Sequence, residues 1–131
     1  MTHPFADLVG LVIDAQGSGT SALSLLADER HMNPHGVVHG AVICALADTG
    51  MGAALYPCLT AGQICATIDI AISYFKPIGP GRLVCRTKVV NQGKTVAHLC
   101  SQVFAGGDRI ASASGNYAIF TPHATNRLAT T

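Results

Sequence analysis

The chain has 131 residues, 49% of them hydrophobic and only 11% charged, with a formal net charge of +1. That length and apolar content suit one compact domain with a sizeable core and exclude a disordered chain. The balanced charge and the lack of a long basic run argue against a nucleic-acid partner.

Taken in chain order, the first seventeen residues carry no basic segment and hold Asp7 and Asp14, which argues against a signal peptide. Leu8 to Asp14 and Thr20 to Ala27 are expected as two strands, joined through Gly17-Ser18-Gly19. A Gly- and Pro-containing loop follows at 31–38. From His39 to about Tyr56 the chain reads as a helix apolar on every side, ended by Pro57. Such a helix must be buried on every side. The apolar run Val37 to Leu59 holds His39, Asp48 and Pro57, so a buried helix is expected and no membrane partner.

The rest is β-like. Ile64 to Lys76 is rich in β-branched residues, with Ile68, Ile70, Ile72 and Tyr74 on one face and Thr67, Asp69, Ala71 and Ser73 on the other. Leu83 to Val90, Thr95 to Ala105 and Ile110 to Phe120 follow as strands, separated by turns at 91–94 and 106–108. Residues 122–131 read as a frayed tail. Antiparallel strands with one long apolar helix to cover make an α+β fold with the sheet wrapped around the helix.

Five cysteines (Cys44, Cys58, Cys65, Cys85 and Cys100) follow no pairing pattern and read as small buried hydrophobes of a reducing, cytoplasmic protein. His31, His35 and His39 recur every four residues, as a helical zinc ligand set would. Pro34 and Gly36 interrupt them, so no metal site is expected, and His31 and His35 read as solvated loop residues.

His39 stands at the helix start. The first N–H groups of a helix lack partners, and Gly40 would let a polarised oxygen approach one of them. An equally good reading makes Gly36 and Gly40 mere aids to a tight turn and close packing. Asp48 is the only formal charge between Val37 and Ala66. A carboxylate in an apolar helix costs several kcal/mol unless it is hydrogen-bonded or faces a cavity. It is either a structural acceptor or a general base or nucleophile. Eight residues separate Gly40 from Asp48, about 12 Å along a helix, too far for both to act on one small group. If the two cooperate, a second copy of the helix, antiparallel about a two-fold axis, must supply one of them.

Asn33-Pro34-His35-Gly36, His39-Gly40-Ala41 and Leu46-Ala47-Asp48 together resemble the signature of hotdog-fold acyl-CoA thioesterases of the phenylacetate-degradation (PaaI-like) group. Thr67-Ile68-Asp69, Tyr74-Phe75-Lys76-Pro77, Gly93-Lys94 and Ala113-Ser114-Gly115-Asn116-Tyr117 extend the resemblance from about residue 7 to 120. It implies a single hotdog domain over 1–131 and a homo-oligomer, a dimer paired sheet edge to sheet edge or a dimer of such dimers. It implies hydrolysis of an acyl-CoA, in which coenzyme A is part of the substrate and no cofactor is needed. Carried over, Gly40 would offer its N–H to the thioester carbonyl, with Asn33 and His39 shaping that end. Asp48 of the facing subunit would be base or nucleophile, and Thr67 would help hold the attacking water. Lys76, Arg82, Arg86, Lys94 and Arg109 are candidates for the coenzyme A phosphates. This chain departs from the pattern at Ala41, where a second glycine is usual, and at Asn116, where threonine is usual. A hotdog hydratase or dehydratase on acyl thioesters, or a non-catalytic acyl-CoA binder, are the other functions such a chain could have.

Overall fold

The structure is a computed structural model that describes residues 2–123, so the expected tail lies, from residue 124 onward, outside the described residues. The elements run α1 (Pro4–Val9), β1 (Leu11–Gly17), β2 (Thr20–Ala27), α2 (Gly40–Leu55), β3 (Ile64–Tyr74), β4 (Gly81–Gln92), β5 (Val96–Ala105) and β6 (Asp108–Phe120). The strands form one antiparallel sheet in the order β1-β2-β4-β5-β6-β3, and every strand contacts α2. This is the wrapped α+β architecture expected from the sequence.

Helix α2 forms where its composition demands. His39 caps it, and a short 3-10 turn at Tyr56–Cys58 with Pro57 inside it closes the far end. Its buried side comprises Ile43, Leu46, Ala47, Gly50, Met51, Ala53, Ala54 and Leu55. These pack in two groups, one with Leu23, Leu25, Leu83 and Val103, the other with Leu99, Ala113, Tyr117 and Ile119.

Burial on every side is not met within one chain. Ala41, Cys44, Ala45, Asp48, Thr49 and Gly52, which recur at three- and four-residue spacing, form a stripe that the sheet leaves partly or fully exposed. A single curved sheet covers one side of a helix, and on the other side α2 offers water only Asp48 and Thr49 among small apolar residues.

Side chains of the sheet reach α2 through its carbonyls. Gln16 Nε2 donates to Ala53 O (2.8 Å), Ser21 Oγ to Gly50 O (2.7 Å), Ser101 Oγ to Ala47 O (3.1 Å) and Tyr117 Oη to Asp48 O (2.8 Å). Four strands thereby fix the rotation and register of the helix on the sheet, beyond what apolar packing alone specifies.

Other expectations also need correction. The N-terminal segment begins with helix α1, not strand. Pro4 stands at its start and Gly10, at φ 80°, takes the left-handed cap position and returns its N–H to Ala6 O. His31 is buried rather than solvated: Asp28 N–H donates to its Nδ1 (3.0 Å), so Nε2 carries the proton and donates to Val9 O (2.7 Å). Of the five free cysteines only Cys85 is fully buried, the others being partly exposed.

Candidate active site

The entrance of α2 leaves one backbone group free. His39 Nδ1 accepts from Ala41 N–H (2.9 Å), and His39 O accepts from Val42 N–H (2.9 Å). The N–H of Gly40 has no partner among the described residues. It stands at the positive end of the helix dipole, the arrangement that stabilises a developing oxyanion. Tyr74, at the end of β3, donates its hydroxyl to Gly40 O (2.9 Å) and holds the first turn from behind. A cleft of about 320 Å³ opens here, lined by Val38, Gly40, Ile43, Tyr74, Phe75 and Lys76 among others.

Asn33 lies in the preceding loop and is used locally. Its Oδ1 accepts from His35 N–H (2.9 Å) and Val37 N–H (3.3 Å), and its own N–H donates to Val37 O (2.7 Å). The loop is thereby closed just ahead of His39. Among the candidate cations, Lys76 lines the cleft and pairs with Asp108 (2.6 Å), while Arg109 stacks 5.5 Å from the centre of the Phe75 ring. Arg82, Arg86 and Lys94 are exposed and do not line it.

Asp48 lies two turns further along α2, half-buried and outside that cleft. Thr67 Oγ1 donates to its Oδ1 (2.8 Å), and the Tyr117 hydroxyl donates to the same oxygen. Strict alternation along β3 puts Thr67 on the face of Asp69, away from this carboxylate. A register shift between Thr67 and Asp69 makes Ile68 an extra residue in the pairing with β6. Thr67 therefore joins the helix side, as Ile70 and Ile72 do, and Ile68 stands 55% exposed.

Tyr117 is the residue that sequence reasoning missed at this site. The sequence marks Ala113-Ser114-Gly115-Asn116-Tyr117 as a family-like segment that departs from the pattern at Asn116, and gives Tyr117 no role. In the structure Asn116 points the other way: its Oδ1 accepts from His98 Nδ1–H (2.9 Å) and its Nδ2 donates to Asp69 Oδ1 (2.9 Å). The signal was the alternation of Ala113, Gly115, Tyr117 and Ile119, all small or apolar and all facing the helix. Gly115 belongs there because a Cβ would meet Met51 Sδ at 2.8 Å and Asp69 O at 3.1 Å. Burial first, then the bond to Asp48, push the Tyr117 hydroxyl well above its usual pKa, so it acts as a donor. Burial first, with the Asp48 charge adding to it, also raises the Cys44 and Cys65 thiols, which argues against a thiolate nucleophile beside this carboxylate.

Residues 35–112 match the family described as the thioesterase superfamily. The chain belongs to that superfamily. A Pseudomonas aeruginosa protein, whose name marks it as a candidate esterase, is 31% identical over 118 residues, 87% of each chain. A Haemophilus influenzae protein similarly named is 32% identical over 88 residues, 67% of this chain, and the match spans 64% of that protein. Among solved structures, the N33D mutant of the phenylacetic acid degradation protein PaaI from Thermus thermophilus superposes with a TM-score of 0.83 at 25% identity. The superposition covers 88% of this chain and 98% of that one. The fold of this superfamily member is the hotdog fold, and thioester hydrolysis is the reaction for which the superfamily is named.

Proposed function

We propose that this chain hydrolyses acyl-CoA thioesters at a site shared by two copies. The observation that carries the reading is a free Gly40 N–H and a half-exposed Asp48 carboxylate on one helix, about 12 Å apart by helical rise. Each is a half-site, and an antiparallel second α2 laid on the open stripe would bring Asp48 of one copy to Gly40 of the other. The edge of β3, unpaired among the described residues, with Ile68 and Tyr74 and the following Phe75 about half exposed, offers a strand for the same association.

In this reading the thioester carbonyl oxygen sits against the Gly40 N–H. Asp48 takes a proton from water as the water oxygen adds to the carbonyl carbon, and the carbonyl π electrons move onto its oxygen. Collapse of the tetrahedral species breaks the C–S bond, and the departing sulfur receives the proton that Asp48 holds. Free acid and coenzyme A leave. Alternatively Asp48 attacks the carbonyl carbon itself, the C–S bond breaks with coenzyme A leaving as its thiolate, and water then cleaves the anhydride to the free acid and the Asp48 carboxylate, the proton released in that step passing to the thiolate. The cleft beside Gly40 would receive the part of the substrate next to the carbonyl, and Lys76 and Arg109 stand where they could meet coenzyme A phosphates.

The test is turnover of phenylacetyl-CoA, hexanoyl-CoA and acetyl-CoA, followed by thiol release, in the native chain and in Asp48→Ala and Asp48→Asn. We expect release from at least one of the three and a fall in kcat of about 10² to 10³ in both variants, with the oligomer retained. Near-native turnover by either variant would falsify the assignment of Asp48.

A further inference from the structure

The fold treats the two oxygens of the Asp48 carboxylate differently. Oδ1 receives the hydroxyls of both Thr67 (2.8 Å) and Tyr117, whereas Oδ2 has no donor among the described residues. Thr67 and Tyr117 are direct cross-strand partners on β3 and β6, so the sheet aims two adjacent donors at one atom. The single Tyr117 hydroxyl proton is shared between Oδ1 and Asp48 O (2.8 Å), and so meets this residue at backbone and side chain together. Its ring is 3% exposed and packed with Ala47, Met51 and Leu99, which leaves the hydroxyl no other direction to take.

We propose that Tyr117 is a positioning residue for thioester hydrolysis: it anchors Asp48 through Oδ1 and leaves Oδ2 as the reacting oxygen. The inference rests on Asp48 being the reacting carboxylate. A freely rotating carboxylate would present either oxygen, in the wrong direction most of the time. One anchored through Oδ1 holds the carboxylate in a single orientation and leaves Oδ2, which has no donor among the described residues, to meet a water or a carbonyl carbon. Orientation of this kind affects the chemical step and leaves substrate binding nearly untouched.

The experiment is a double-mutant cycle on Tyr117→Phe and Asp48→Ala, with phenylacetyl-CoA, or whichever of the three acyl-CoAs the native chain cleaves fastest, as the probe. Tyr117→Phe keeps the ring and removes only the hydroxyl. In the native background we expect kcat to fall about 10- to 10²-fold, the worth of one hydrogen bond to a charged group, with KM little changed. In the Asp48→Ala background the same change should alter the residual rate by less than about twofold. An equal loss in both backgrounds would assign Tyr117 to packing and overturn the proposal, as would an unchanged kcat in the native background. Should Tyr117→Phe lower the melting temperature markedly, Thr67→Val removes the other donor from the same oxygen, and additive loss there would equally overturn the anchored-Oδ1 geometry. Native turnover in Asp48→Ala alone would instead refute the carboxylate's role and this inference with it.

Discussion

The entrance of α2 and the middle of α2 offer opposite kinds of chemistry and are held in opposite ways. At Gly40 the functional group is a backbone N–H, free because helices begin with unpartnered donors and because His39 caps the next one. At Asp48 it is a side chain, and its orientation depends on Thr67 and Tyr117 from two strands. The first is a consequence of local chain geometry; the second exists only when β3 and β6 are paired. The proposed thioester hydrolysis draws on both, one as oxyanion donor and the other as acid-base group, and the fold supplies the two groups by separate means.

The sharpest test of that contrast is at Gly40. Proline fits the first helical position and removes the N–H, and His39 already has the extended backbone that precedes proline readily. Gly40→Pro should lower kcat by about 10² to 10³, the usual cost of one oxyanion donor. Alanine keeps the N–H but also places a Cβ 3.1 Å from the Tyr74 ring, so Gly40→Ala measures the steric part alone and should cost only a few-fold. Equal losses in the two variants would mean that the N–H does nothing and the contrast collapses.

At the sheet-held end, Gly115→Ala drives a methyl against Met51 and the Asp69 carbonyl. It should destabilise the chain by about 1–3 kcal/mol in denaturant titration, an overpacking cost. Activity per folded molecule should fall too, because Tyr117 is only two residues away on the same strand. Away from both ends, His31→Ala removes the buried link between Asp28 and Val9. It should cost about 1–2 kcal/mol of stability without changing kcat, and a kinetic effect would connect that loop to the helix entrance. The smallest effect is expected at Asp28, whose carboxyl is held down to about 2, chiefly by its hydrogen bonds from Arg30. A depressed folded pKa contributes stability above the unfolded value and loses it as pH falls toward 2. The difference in melting temperature between native and Asp28→Asn should therefore be small at neutral pH, shrink between about pH 4 and 2, and be reduced by salt, because the pair is exposed.

The strands and α2 were legible because their signals are local. Hairpin glycines, β-branched runs and Pro57 need no knowledge of neighbours. Helix α1 carried its own signals, Pro4 and Gly10, but at six residues it was outweighed by the alternation read across Leu8 to Asp14. His31 reads as a solvated loop residue because nothing within a few positions reveals that Val9 lies against it. Alternation alone puts Thr67 on the face away from the helix, although the family resemblance implies a place beside an Asp48 carboxylate. A bulge is a property of two paired strands, and only the register of β3 on β6 reveals it.

The amino-acid order alone was sufficient for the helix, for the free N–H at its start and for an isolated carboxylate eight residues on, because propensity, capping and spacing act along the chain. Which oxygen of Asp48 is held, and by whom, came only with the folded sheet. Thr67 and Tyr117 are fifty residues apart in sequence and become neighbours when β3 pairs with β6. The same holds for the four side chains that lock α2 by its carbonyls: no local rule joins Gln16, Ser21, Ser101 and Tyr117 to one helix. Hydrogen bonds of that reach are decided by strand register, and register is set by the packing of the whole core.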